Sequence, residues 1–322
     1  MRGEQDGEVS VTVVDWLLEG DPAVRWQVAR DLKGAPRDAV AAERARVATE
    51  GWGAALLSRQ GADGTWGGAA WNHGWDSTMH VLWLLAYLGL DPGSAPAQLS
   101  VARVCDRVTW RGCGPPECDD HAFFAGEVEP CINGQVAAAG AYFRQDVSPL
   151  VGRLLSEQLP DGGWNCDAPE SARSSFNTTM CVLEALLQYE LSGGGLDTRE
   201  ARLLGEEYLL ERHLGRRWST GEPIVRDRKS GADWRRFAFP TWWHYDVLRA
   251  LDYLAQARAD PDPRVDEGVA LLRARRGAGG RWPLDASHVG TMPVDLGERV
   301  GAPSRWNTLR ALRVLRWYDG RA

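Results

Sequence analysis

Gln158-Leu159-Pro160-Asp161-Gly162-Gly163-Trp164, followed by the apolar run from Thr178 to Leu187, decides how the rest of the chain is read. The same two-part phrase occurs twice more. Gln60 to Trp66 precedes Ser77 to Leu85, and Arg276 to Trp282 precedes Arg305 to Leu312. In each copy the first residue and the Trp stand six apart with glycine between them. A loop-plus-helix phrase that recurs along a chain marks a repeat architecture, in which each unit buries its apolar face against its neighbours.

Working outward, helical periodicity divides the chain into six pairs: 9–18 with 23–33, 38–59 with 77–89, 95–108 with 132–143, 148–158 with 178–190, 198–213 with 242–256, and 264–276 with 304–318. The first member of a pair is richer in charge, as in 40–47 and 199–207, and the second is apolar on most faces, as in 80–87 and 135–142. One-sided helices lie outside and all-round apolar helices inside. The expectation is an all-α (α/α)6 toroid, a barrel of six outer/inner helix pairs with a central pocket, and no strand. It forms a single domain over 9–320, after a polar segment 1–8 read as disordered. Inner-to-outer links such as 91–94 and 144–146 are short. The outer-to-inner links of the second to sixth pairs, which are the second to sixth loops, are 61–76, 109–131, 159–177, 214–241 and 277–303; they are long and rich in Gly, Pro, Trp, Asp and Cys. Long loops in a compact domain usually carry function, and these should gather at one end of the barrel as its mouth.

Of the 322 residues 44% are hydrophobic, enough for a substantial core, and the net charge of -7 comes without a basic stripe. Nucleic acid is therefore not an expected partner. No apolar run is long enough to span a bilayer and the N-terminus lacks the apolar centre of a signal peptide, so the expected location is cytoplasmic. Six irregularly spaced cysteines are then expected as free thiols. Sixteen tryptophans are unusual; Trp66, Trp71, Trp75, Trp164 and Trp282 sit in glycine-rich loops, and Trp26, Trp242, Trp243 and Trp306 at helix starts. Such rings staple loops or line a cavity.

The Gln-x-x-x-Gly-x-Trp loops at Gln60 to Trp66 and Gln158 to Trp164, with a partial copy at Arg276 to Trp282 and the paired helices, resemble the squalene-cyclase and protein-prenyltransferase superfamily over about residues 15–318. The resemblance implies a terpenoid-cyclase-like α/α toroid with a deep apolar pocket. It also implies two alternative sites. Class II cyclases carry an Asp-x-Asp-Asp acid, whose nearest counterpart here is Glu117-Cys118-Asp119-Asp120, making Asp119 or Asp120 the implied proton donor. Prenyltransferases bind zinc with Asp-x-Cys and a His on successive inner helices. Glu129-Pro130-Cys131 stands at the first position, while Asn177 replaces the His.

Aligning the repeats places Asp76, Cys131, Asn177, Trp242 and Ser304 at the starts of inner helices, with His80, Gln135, Cys181, Asp246 and Thr308 one turn deeper. This reads as a polar collar over a greasier well. Asp76, Asn177 and Ser304 also suit helix N-caps, Cys181 a small core position, and His80 either the core or the reaction. Asp246, beside His244, needs a partner on an apolar helix. Cys113, Cys118, His121 and Cys131 supply enough soft ligands for zinc, structural or catalytic. Without a metal, Cys131 at a helix N-terminus is a candidate nucleophile of lowered pKa. Arg216, Arg217, Arg226, Arg228, Arg235 and Arg236 crowd the fifth loop, either as solvated surface or as a site for an anionic head group.

Three functions stay open. One is a cyclase-like enzyme acting on an apolar or isoprenoid-derived small molecule, with Trp66, Trp164, Trp242 and Trp306 facing developing positive charge. The second is a zinc- or thiol-dependent transferase or hydrolase centred on Glu129, Cys131 and a nearby His. The third is a binding protein without catalysis.

Overall fold

The computed structural model describes residues 12–113, 116–227, 231 and 233–320. The segment 1–8 and Arg228 lie outside the described residues. Among the described residues the regular structure is helical, with isolated bridges such as Trp66 with Ala69 but no strand.

Outer and inner helices alternate. The outer helices are α1 (Val13–Leu18), α3 (Arg37–Ala45) continued by α4 (Gly51–Leu57), α6 (Ala95–Arg107), α8 (Ser148–Ser156), α10 (Arg199–Leu210) and α12 (Asp266–Ala274). The inner helices are α2 (Pro22–Asp31), α5 (Thr78–Leu88), α7 (Pro130–Tyr142), α9 (Phe176–Leu191), α11 (Val247–Ala257) and α13 (Arg305–Asp319). Each inner helix meets the next. Trp26 and Gln27 of α2 donate to the Leu88 and Tyr87 carbonyls of α5, and α5, α7, α9, α11 and α13 pack in sequence. Arg313 of α13 returns to Asp31 and Gln27 of α2 at 3.0 and 2.8 Å, which closes the ring.

The repeated phrase has a repeated chemistry. The indoles of Trp66, Trp164 and Trp282 donate to the carbonyls of Leu56, Leu154 and Leu272, each ten residues earlier at the end of an outer helix, at 2.7, 2.6 and 2.7 Å. Their backbone N–H groups donate to Thr78, Thr179 and Thr308 of the following inner helix. One ring thus satisfies an orphan helix-end carbonyl and buries its face between the two layers. Gln60 and Gln158 each donate to a carbonyl inside their own loop, Gly64 or Gly162, and to one on the next outer helix, Ser100 or Ala201. The motif is therefore a clasp between neighbouring pairs.

Two boundaries differ from the periodic reading. The expected helix 38–59 breaks at Gly51, which has φ +62° and whose Cβ position is filled by the Asp21 carboxylate. The fifth inner helix starts at Val247, not 242. Trp242 has φ +53°, and Asp246 caps the helix by accepting from the Arg249 N–H at 2.7 Å.

The expected well is filled. Across the ring interior, Trp242 stacks on Trp75 at 5.3 Å and touches Trp83 of α5, while Trp306 of α13 stacks on Phe239 at 4.6 Å and meets Tyr87 of α5 edge-on. Nearby, the buried Arg310 and the half-buried Arg313 of α13 share Asp252 of α11. No helix among the described residues is long and apolar enough to cross a membrane.

Candidate functional site

A cavity of about 2040 Å³ runs from the inner wall made by α5, α7 and α9 outward between the fourth and fifth loops to α10. None of its lining residues belongs to α2, α11 or α13, so it is displaced from the ring centre toward α7 and α9. The close approach of these two helices depends on Gly134, where a Cβ would lie 2.7 Å from the Cys181 backbone carbon.

At the inner end of the cavity α7 begins with Glu129-Pro130-Cys131, and the fourth loop brings in Cys166. One ligand atom from each of Glu129, Cys131 and Cys166 lies within 4.8 Å of the others, the only such group of three among the described residues. The Cys131 thiol donates to the Glu129 carboxylate at 3.6 Å, and its backbone N–H points at the Cys166 sulfur at 3.4 Å. Cys166 also meets the Thr178 hydroxyl at 3.4 Å. The hydrogen bond with Cys166, and then burial, hold the Cys131 thiol well above its ordinary pKa. This corrects the expected lowering by a helix N-terminus. The donor set of two thiols and a carboxylate suits zinc, whose sulfur ligands stand about 3.8 Å apart in a tetrahedron, and metal binding would deprotonate the thiols.

Cys166 was missed in the sequence because it lies 35 residues beyond Cys131 with no motif spacing. Its signal was its place in a mouth loop just after the Trp164 clasp. The other expected ligands go elsewhere. Cys118 is buried in the core, and His121 is exposed with its backbone carbonyl bonded to Trp110. Asp119 and Asp120 are exposed, one accepting from the Gly112 N–H and the other paired with Arg111, and neither lines the cavity.

The polar collar is partly present. Gln135 lines the cavity floor and its Nε2 donates to the sulfur of Cys181, which burial pushes up to about 11. Asn177 does not cap its helix; Ser175 does. Asn177 instead accepts from the Tyr245 N–H at 2.7 Å and donates to Asp227 at 3.2 Å, tethering the fifth loop along the cavity. Asp76 accepts from Asn72 at 3.0 Å while Ser77 occupies the cap position. His80 is buried against Trp75 and Trp242, its Nδ1 paired with Ser77 Oγ at 2.8 Å and its Nε2 unpartnered among the described residues; burial takes its pKa down to about 3. His244 lies between Trp243 and His288, with ring centroids 3.8 and 3.6 Å away, and burial takes it down to about 2. Asp246 is a buried cap outside the cavity lining, its pKa raised by burial. Trp66, Trp164, Trp242 and Trp306 are packed away from the cavity, which is lined by Trp71, Trp218, Trp234 and Trp243.

In the fifth loop Arg216 pairs with Glu267 and Arg235 with Asp233, while Arg236 donates to the Asp285 carbonyl. Arg216, Arg217 and Arg226 line the outer cavity.

No protein-family model matches the chain, and no curated protein does. Among solved structures the chain is similar to the apo form of the type II terpene cyclase MstE from Scytonema, at 17% identity and a TM-score of 0.44, covering 92% of this chain and 88% of that one. A variant of the same enzyme in complex with geranylgeranyl dihydroxybenzoate gives 18% identity and a TM-score of 0.43, covering 92% and 87%.

Proposed function

We propose that the chain is a terpenoid-cyclase-like toroid enzyme that takes an apolar or isoprenoid-derived small molecule into the off-centre cavity and reacts at the Glu129, Cys131 and Cys166 cluster. The reaction class is zinc- or thiol-dependent transfer or hydrolysis. The observation that carries this reading is position: the cluster lies on the cavity wall, whereas Asp119 and Asp120 face solvent outside it.

Zinc, held by Glu129, Cys131 and Cys166, would supply Lewis acidity and a stable thiolate at neutral pH. The chain's own groups have separate tasks. Glu129 accepts the hydrogen bond of the Cys131 thiol, and Cys166 holds the start of α7 in place. Met79, Ile132 and Trp243 present apolar surface to the ligand's tail, and Arg217 and Arg226 stand at the outer end for an anionic group.

The test is elemental analysis of wild type, Cys131→Ser and Cys166→Ser, prepared without added metal or a histidine tag. About one zinc per wild-type chain, and at least a tenfold loss in either variant, is the expected result. A zinc-free wild type removes the metal and leaves the thiol, which Cys131→Ser then tests by turnover of apolar esters and diphosphates. Turnover retained in a metal-free Cys131→Ser chain sinks both versions.

A further inference from the structure

Cys131 and Cys166 are both half-buried, both line the cavity, and hold their sulfurs within 4.8 Å of each other. A disulfide has an S–S bond of about 2.0 Å, so the two sulfurs need to approach by no more than about 2.8 Å. Their surroundings permit this. Cys131 stands in the first turn of α7, whereas Cys166 opens the turn 166–170 of the fourth loop. The contacts that hold the sulfurs are long ones. Cys131 donates to Glu129 at 3.6 Å, while Cys166 accepts the Cys131 N–H and meets Thr178 Oγ1, both at 3.4 Å. Turning either side chain to another staggered position gives up only these contacts.

The other four cysteines are placed differently. Cys118 and Cys181 are 3% and 1% exposed, and the Cys181 sulfur is surrounded by Gln135, Arg249 and the Trp243 carbonyl. Cys105 and Cys113 reach solvent outside the cavity, one bonded to Gln145 and the other to the Arg111 carbonyl. A small oxidant that enters the cavity therefore meets one pair of adjacent thiols.

We propose that Cys131 and Cys166 are an oxidation site, which hydrogen peroxide converts reversibly into an intrachain disulfide that disarms the Glu129 cluster. The peroxide transfers one oxygen to the first sulfur, giving a sulfenic acid and one water. The second thiol then attacks that sulfur; the S–S bond forms, the S–O bond breaks, and the hydroxyl leaves with the thiol proton as a second water. The two thiols together lose two hydrogens and two electrons, and the peroxide is reduced. Neither sulfur is then available as a thiolate, the form that attacks and that binds metal. The bond needs only the two sulfurs, whether or not a metal sits between them; its effect on the site rests on the reading above.

The experiment treats reduced, full-length wild type with a slight excess of hydrogen peroxide, alkylates the remaining thiols, and maps the disulfides by mass spectrometry after cleavage at Arg and Glu, which separates Cys131 from Cys118. The expected result is a cross-link between Cys131 and Cys166 in most chains, absent from Cys166→Ser and returned to two thiols by dithiothreitol. Zinc carried by the chain before treatment is expected to fall at least tenfold in step with the cross-link. Cys131 and Cys166 recovered as free thiols, oxidised singly, or joined to other cysteines overturns the proposal. Zinc retained in a cross-linked chain overturns the disarming of the cluster. A zinc-free chain that forms the cross-link supports the oxidation site and sinks only the metal in the reading above. The wild-type map needs no variant to fold, so the test stands even where Cys166→Ser is unstable.

Discussion

Arg249 and Glu184 join α11 to α9 through two hydrogen bonds of 2.8 and 2.6 Å, with the arginine side chain 2% exposed and the glutamate 24%. This pair carries much of a sparsely packed seam in the inner ring and also supports the Cys181 sulfur beneath the cavity. Removing the carboxylate leaves a buried guanidinium without its counter-charge. Glu184→Gln is expected to lower unfolding free energy by about 3 kcal/mol in urea titrations. Adding Arg249→Met to it should restore at least half of that loss, because the charge left uncompensated is then gone. A Glu184→Gln chain as stable as wild type would show that the pair contributes nothing to the seam.

The clasp predicts a difference between tryptophans of equal burial. Trp164 and Trp306 are both fully buried, but Trp164 Nε1 donates to Leu154 while Trp306 Nε1 has no partner among the described residues. Phenylalanine removes similar apolar area at both sites. Trp164→Phe should therefore cost about 1 kcal/mol more than Trp306→Phe, the worth of one buried hydrogen bond. Thermal unfolding of the two variants side by side reads this, and equal losses would remove the clasp's special role.

That clasp is also why the fold was legible. Gln158 and Trp164 are spaced by a geometry repeated in the chain, and local spacing is what a sequence displays. The interior was not legible in the same way. Trp242 reads as a helix start, since its left-handed backbone is imposed by packing against Trp75 and Trp83 and leaves no trace in periodicity. A one-turn register taken from that false start placed Asp246 inside a helix that it caps. For the site, the sequence singled out Glu129 and Cys131 because they are neighbours in a motif. Cys166 comes from a different loop, and only the packing of α7 against α9 brings it to them.

The acidic turn gives a contrasting pair of variants. Asp119 and Asp120 are exposed and held by local partners, so the double variant Asp119→Asn, Asp120→Asn should change stability by no more than about 0.5 kcal/mol. Its zinc content should equal that of wild type, while Cys131→Ser loses the metal. Turnover abolished in the double variant with folding intact would return the reaction to the acidic turn.

Three histidines set a pH dependence. Burial takes His80 to about 3, His244 to about 2 and His288 to about 4, from an ordinary value of 6.5. Each folded value is depressed, so the unfolded chain binds more protons between the two limits, and stability falls as pH falls. The contribution is complete above about 6.5 and is lost progressively as pH falls toward each ring's folded value, about 4, 3 and 2. Down to pH 5 most carboxylates are still ionised, so the change there belongs chiefly to these rings. A fully shifted ring gives about 1.6 kcal/mol between pH 6.5 and 5. His288 is partly exposed and stacks on His244, with Arg249 acting on both, so the sum should be smaller than three such terms, about 3 kcal/mol. Urea unfolding at pH 7 and pH 5 measures it. His80→Asn should reduce the difference between the two pH values by about half, whatever it does to stability at pH 7. Equal stability of wild type at pH 7 and pH 5 would mean that the rings take up protons in the folded chain and are not sealed among the tryptophans.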